Sequence, residues 1–306
     1  MTRATRVLVT GAAGQVGLDL VDTLGAQMVP GADHSFWGDG HPVGDREFEV
    51  LGLSRHELDI TDRDSVVRAV SAVRPDVIVH LAAYTAVDRA EEDPTTCYAV
   101  NATATGSLST AAHEVGAHLI AISTDYVFDG SKGSAYVEDD PTNPLGVYGA
   151  SKLAGELLCS SEDTVVRTSW VMGVRGRNVL HAIAHRAATG ERVRFVNDQT
   201  GTVTSAADLA HALVALVRAR PGGLWHVANR GATTWFDIAR FAGRELGRDD
   251  QFATAIATAQ LDPAPVARRP VRSDLSIDRW TAAGYRPMPE WTDSVSRLLR
   301  DRTGRS

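Results

Sequence analysis

The chain has 306 residues, 43% of them hydrophobic, and a formal net charge of −7 at neutral pH. That content supports one large domain or two modest ones with a real core. The acidic balance argues against nucleic acid or an anionic membrane as the main partner. Cys97 and Cys159 are the only cysteines, at no spacing that suits a metal; two thiols in a chain this long fit a reducing compartment. No apolar run is long enough to span a bilayer. The expectation is a cytoplasmic protein with no metal.

The opening "MTRATRVLVTGAAG" is basic and then apolar, as a signal peptide is. Its apolar run is short and breaks at Gly11, so it reads as a first strand over 6–10, followed by a helix near 14–24. Residues 31–50, "GADHSFWGDGHPVGDREFEV", stand where a short link is expected and read as a surface insertion. His34, Asp39 and His41 within it lack any ligand spacing. "VLGLSR" is the next strand, ending at Ser54 and Arg55. A helix follows near 62–73, with Thr61 and Asp64 resembling a capping box. "DVIVHLAA" (76–83) and "HLIAISTD" (118–125) are apolar on both faces, as buried parallel strands are. "TVVRTSW" (164–170) and "LWHVAN" (224–229) are weaker strands. Helical patterns occupy 95–115, 147–160 and 205–219. The alternation predicts an α/β, Rossmann-like, doubly wound parallel sheet. From about 230 the rhythm stops. The expected organisation is a dinucleotide-binding domain over 1–171, to which 201–229 returns. A smaller, largely C-terminal substrate-binding lobe takes 172–200 and 230–306.

Gly11, Gly14 and Gly17 fall between the first strand and its helix, whose first turn begins at Gln15 and Val16. Glycines there let the backbone approach a pyrophosphate, and the helix N-terminus offers free N–H groups and positive partial charge. An acidic residue at the end of the second strand holds the ribose hydroxyls in NAD sites. Ser54 and Arg55 suit a 2′-phosphate instead, so NADPH is expected, with NADH as the alternative donor. Asp59 and Ile60 are placed to bracket the adenine, and Ala82, Ala83 and Tyr84 to line the nicotinamide side.

Tyr148 and Lys152 stand at i and i+4 on one helix face, about 6 Å apart at Cβ. A phenol titrates at about 10. A cation at about 4 Å is worth about 4 kcal/mol at an effective dielectric of 20. The spacing therefore predicts a phenol drawn towards working pH, where general acid catalysis is efficient. "AISTD" places Thr124 at a strand's carboxyl end, able to hydrogen-bond the oxygen that Tyr148 protonates. Asn101, on the preceding long helix, can anchor a water that relays protons to Lys152.

Glycine turn, strand-end Ser-Thr and Y-x-x-x-K in this order resemble the extended short-chain dehydrogenase/reductase superfamily. "STDYVFDG", "YGASKLAGE", "VVRTSWV", "DQTGTVTSAADLA" and "RRPVRSDL" together are similar to the dTDP-4-dehydrorhamnose reductases. The resemblance implies NADPH-dependent reduction of the 4-keto group of dTDP-6-deoxy-L-lyxo-4-hexulose to dTDP-L-rhamnose. It implies Thr124, Tyr148 and Lys152 as the catalytic set, Asp125, Tyr126 and Trp170 against the sugar with Asn101 close by, and a homodimer. Three positions depart from the family: Val203 for Pro, Met172 for Tyr and Arg272 for Asn. All three are expected on the substrate side. Related 4,6-dehydratases carry Glu where this chain has Tyr126, and a phenol is a poor base near neutral pH. Two alternatives remain at this stage. One is a 4-ketoreductase for another dTDP-deoxysugar, such as in dTDP-dihydrostreptose formation. The other is a non-catalytic subunit resembling the regulatory subunit of methionine adenosyltransferase.

Overall fold

The computed structural model describes residues 3–25, 29, 32–33, 37 and 47–303, the last two by backbone alone. His34, Asp39 and His41 lie outside the described residues. The first half alternates: β1 (Thr5–Thr10), α1 (Gln15–Leu24), β2 (Phe48–Leu53), α2 (Arg63–Val73), β3 (Val77–His80), α3 (Val87–Glu92), α4 (Pro94–Tyr98), α5 (Ala104–Val115), β4 (His118–Thr124), α6 (Val147–Glu156) and β5 (Thr164–Thr168). Next come β6 (Val171–Met172), α7 (Val179–Thr189), β7 (Val193–Val196), β8 (Thr200–Thr202), β9 (Thr204–Ser205), α8 (Ala206–Ala219) and β10 (Gly223–His226). The tail forms β11 (Ala232–Thr234), α9 (Trp235–Glu245), β12 (Ala253–Ile256), α10 (Asp278–Ala282) and α11 (Trp291–Thr303).

Six strands make one parallel sheet in the order β10-β5-β4-β3-β1-β2. Neighbouring residues of β1 feed opposite cores. Val7 and Val9 pack with Leu20 and Leu24 of α1 and Leu209, Leu213 and Leu216 of α8. Leu8 packs with Val66 and Val70 of α2 and Leu108, Ala111 and Ala112 of α5. A strand covered on both faces must be apolar at every position, which is why the early strands lack a polar/apolar alternation. The chain leaves β1 towards β2 on one side and β3 on the other. The reversal opens a crevice at the carboxyl ends of those strands, where ligands bind in such sheets.

A separate core joins Met172, Leu180 and Ile183 to Ile238, Phe252, Val295 and Leu298. From the tail, Trp280 and Met288 pack instead into the core beneath α1 and α8. Asp208 of α8 ties the last helix down. Its buried carboxylate accepts from Asn229 Nδ2 at 2.9 Å, Ser294 Oγ at 2.7 Å and Arg297 Nη2 at 2.6 Å.

Several local expectations need correction. The cap of α2 is Asp62, whose Oδ1 accepts from the Asp64 and Ser65 N–H groups at 3.0 and 3.3 Å. Thr61 instead donates its hydroxyl to Asp59. The helix expected over 95–115 runs from Pro94 to Val115 without interruption and widens into a π turn at Ala99–Thr103. There the Asn101 amide bonds the Tyr84 backbone, at 2.9 Å to its N–H and 3.1 Å to its carbonyl. Helix α6 stops at Glu156 rather than 160, and β5 stops at Thr168, before Trp170 turns into left-handed backbone at φ +40°.

Glu156 closes α6 through a buried pair. Its two carboxylate oxygens accept from Arg167 Nε at 2.9 Å and Nη2 at 2.6 Å, and Ser123 Oγ bonds the same carboxylate. Removing one partner of a buried ion pair costs about 3–5 kcal/mol, because the other charge is left without its solvent. Glu156→Gln is expected to lose stability of that order in urea denaturation, and an unchanged unfolding midpoint would contradict the account.

Candidate active site

The crevice holds a cavity of about 870 Å³, running from the Gly11 turn past β4 to Trp170 and Trp235. Its floor is the link between β1 and α1. Gly11 has φ +70°, and a Cβ there would lie 2.5 Å from the Ala82 N atom. A Cβ on Gly17 would lie 2.3 Å from the Gly11 carbonyl oxygen. Only glycine allows both approaches. Helix α1 starts at Gly14 with no side-chain cap and no acid in its first turn. Helices α2, α7, α8 and α9 are capped by Asp62, Asn178, Ser205 and Thr234. The free N–H groups and positive end of α1 therefore face the cavity, where Gln15, Val16 and Gly17 line it. This cradle fits a dinucleotide diphosphate.

At the end of β2, Ser54 gives both its N–H and its hydroxyl to Glu57, at 2.8 and 2.7 Å. Arg55 is exposed at the cavity wall and makes no hydrogen bond or ion pair among the described residues. Asp59 accepts from the Thr61 hydroxyl and N–H, which hold its carboxyl below the usual range. Asp59 and buried Ile60 line this end, and Ala82, Ala83 and Tyr84 line the far side of the turn.

Thr124, Tyr148 and Lys152 come together on the cavity from β4 and α6. Tyr148 keeps part of its surface open to the cavity, yet its phenol is pushed up to about 12. Burial is the main cause, and the neighbouring Thr124 hydroxyl draws it partly back. Lys152, 5% exposed, is pushed down to about 8 by burial, against the pull of Glu156 and of the thiols of Cys159 and Cys97. The acidified phenol expected from the i, i+4 spacing is thus not what the structure shows. Burial disfavours the charged form of both groups and is the largest influence on each.

Of the four residues expected near the sugar, Trp170 lines the cavity, whereas Asn101, Asp125 and Tyr126 are set back from its lining. Asn101 is buried and spends its amide on Tyr84 and on Ser151 Oγ at 3.0 Å. Asp125 is turned into the protein, accepting from Ser273 Oγ at 2.5 Å and Thr124 Oγ1 at 3.1 Å, and burial raises it to about 6. Tyr126 meets Tyr148 edge-on, with ring centroids 5.9 Å apart, beside the Arg269 guanidinium that pairs with Asp88. Trp170 lines the cavity and stacks on Trp235, with centroids 4.1 Å apart. Trp235 was not legible as a site residue, since its place depends on a stacking partner 65 positions away. Of the three family departures, Met172 lines the cavity. Val203 is fully buried in the second core, and Arg272 pairs with Asp274 and the Gly133 carbonyl. No group of three or more His, Cys, Asp or Glu residues is arranged to hold a metal among the described residues.

Residues 40–303 match the family model described as the RmlD substrate binding domain. A dTDP-4-dehydrorhamnose reductase from Streptomyces griseus is 40% identical, across 98% of this chain and 95% of its own. A dTDP-4-keto-6-deoxy-D-glucose reductase from Streptomyces niveus is 35% identical across 96% of both. The crystal structure of a Bacillus anthracis dTDP-4-dehydrorhamnose reductase in complex with NADP superposes with a TM-score of 0.86. It shares 30% identity and covers 97% of this chain and 99% of that one. The chain belongs to the dTDP-4-dehydrorhamnose reductase family.

Proposed function

We propose that the chain reduces the 4-keto group of dTDP-6-deoxy-L-lyxo-4-hexulose to dTDP-L-rhamnose, with NADPH as reductant. The observation that carries this reading is the meeting of Thr124, Tyr148 and Lys152 in the same cavity as the uncapped end of α1. Gly11, Gly14, Gln15, Val16 and Gly17 would hold the diphosphate of the cofactor, and Ser54 and Arg55 its 2′-phosphate. Asp59 and Ile60 would flank the adenine, and Ala82, Ala83 and Tyr84 the nicotinamide. A reduced nicotinamide bound there supplies the hydride for C4 of the sugar.

The protein's part is to manage charge on the carbonyl oxygen. Tyr148, with its phenol near 12, holds its proton at neutral pH and can donate it to an oxygen gaining negative charge. The Thr124 hydroxyl, which donates to Asp125 in this structure, would have to turn its proton to that same oxygen to bond it. Lys152 remains an ammonium below about pH 8 and stabilises the phenolate left on Tyr148. Trp170, stacked on Trp235, offers an apolar wall for the sugar ring. Asp125 and Tyr126 contact Thr124 and Tyr148 from outside the cavity lining and would act on the sugar through them.

A second reading, a 4-ketoreductase for another dTDP-deoxysugar, is favoured by Met172 on the cavity wall and by the Streptomyces niveus relative. A panel of dTDP-4-keto sugars, with product stereochemistry read by NMR, decides between the two. No helix among the described residues is long and apolar enough to cross a membrane. Two free thiols suit a reducing cytoplasm, and the family resemblance extends the proposal to a homodimer.

Tyr148→Phe is expected to lower kcat by about 10²–10⁴-fold while cofactor affinity is kept. Near wild-type turnover would refute the assignment. The Lys152 pKa lies below its ordinary value, so the ammonium is complete well below pH 8 and disappears above it. The kcat for reduction should therefore fall as pH rises through about 8, whereas a flat profile to pH 10 would remove Lys152 from the mechanism. Arg55→Ala should raise KM for NADPH about tenfold and leave KM for NADH nearly unchanged, as expected for loss of one charge-assisted phosphate contact. An equal effect on both donors would place Arg55 away from the 2′-phosphate.

A further inference from the structure

We propose that Arg177 holds a diphosphate in the cavity, presented by a strap that the second lobe lays across the start of α1. The inference rests on the reductase reading and names a residue which that reading leaves unused. Among the described residues lining the cavity, the cations are Arg55, Lys152 and Arg177. Lys152 is buried beside the reacting end, and Arg55 stands at the end of β2. A nucleotide-sugar and a dinucleotide each bring a diphosphate, and a guanidinium is the side chain best suited to bind one.

The strap is residues 173–178, and both ends are fixed to α1. The Gln15 Oε1 atom accepts from the Gly173 N–H at 3.2 Å and from Asn178 Nδ2 at 2.8 Å. Between them Arg175 is committed elsewhere, its Nε donating to Asp19 Oδ1 at 2.9 Å and its Nη1 to Asp22 Oδ2 at 2.6 Å. Gly176, at φ +79°, runs so close to Gln15 that a Cβ would lie 2.4 Å from its Cγ. The next residue is Arg177. It is exposed, lines the cavity and makes no hydrogen bond or ion pair among the described residues. The geometry therefore brings an uncommitted guanidinium to the uncapped N-terminus of α1, where Gly14 to Gly17 already offer N–H groups. Arg175 anchors the strap and Arg177 meets the ligand.

The diphosphate belongs either to the dinucleotide or to the nucleotide-sugar, and binding measurements separate the two. NADPH is titrated by its fluorescence and dTDP by calorimetry, against the wild-type protein, Arg177→Ala, Arg177→Lys and Arg175→Ala. Arg177→Ala should weaken NADPH or dTDP about tenfold or more, as loss of a charge-assisted contact does, with Arg177→Lys in between. Arg175→Ala should weaken the same ligand less. Loss for NADPH assigns the cofactor's diphosphate, and loss for dTDP the sugar nucleotide's. If Arg177→Ala binds both within about twofold of wild type, with an unchanged melting temperature, the proposal is overturned. A wild-type protein that binds neither ligand would instead overturn the reductase reading.

Discussion

The meeting of Thr124, Tyr148 and Lys152 on one cavity depends on how closely α6 lies against the backbone beneath it. A Cβ on Gly149 would sit 2.1 Å from the Tyr126 carbonyl oxygen, and one on Gly155 would sit 2.3 Å from the Asn101 carbonyl oxygen. Any other residue at either place would force the helix away from β4 and from the π turn. Tyr148 and Lys152 ride on that helix, so moving it withdraws both from Thr124. The rest of the local structure serves this contact. The π turn offers the Asn101 carbonyl to Gly155, and the Asn101 amide fixes the Tyr84 wall. Ser151 bonds both Asn101 and the Tyr148 carbonyl, at 3.0 and 2.7 Å. Glu91 of α3 accepts from the Val147 N–H at 2.8 Å and so satisfies one of the first N–H groups of α6.

Close packing also sets the electrostatics. Had Tyr148 and Lys152 stood on an exposed helix face, solvent would have kept both near their ordinary values. Burial moves them in opposite directions, the phenol up to about 12 and the ammonium down to about 8. The outcome suits reduction. In the proposed role as acid, the Tyr148 phenol would keep its proton until an oxygen more basic than itself develops beside it. The cation stays charged at neutral pH partly because Glu156, one turn further along α6, faces it. Glu156 is itself held by Arg167 from β5, so the charge state at the reacting end rests on an ion pair deep in the sheet.

Features that depend on neighbours in sequence were readable in advance. Continuous apolar runs marked the central strands, because both of their faces are covered. The glycine spacing marked the turn after β1, and the four-residue step marked the face shared by Tyr148 and Lys152. Features that depend on distant partners were not. Asp62 rather than Thr61 caps α2 because Thr61 is taken by Asp59, a competition no pattern encodes. The helix over 95–115 widens into a π turn at Asn101, whose buried amide bonds Tyr84. Asp125 faces inward because Ser273, far along the chain, supplies its hydrogen bond. The inversion of the phenol's expected shift has the same origin, since burial is a property of the whole fold and spacing is not.

The distribution of acids around the cavity bears on which reaction the scaffold runs. Water elimination from a sugar needs a base as well as an acid near the ring, whereas ketone reduction needs only a proton donor beside the hydride site. Among the described residues lining the cavity, the one carboxylate is Asp59, beside Ile60 and Thr61 after β2 and away from Tyr148. Asp125 is close in sequence to Thr124 but is buried and bonded to Ser273. Tyr126 is raised further by burial and by Asp125, so it does not act as a base near neutral pH. Around Tyr148 the described lining residues include a phenol that keeps its proton, the Lys152 ammonium and the Thr124 hydroxyl. That set suits reduction.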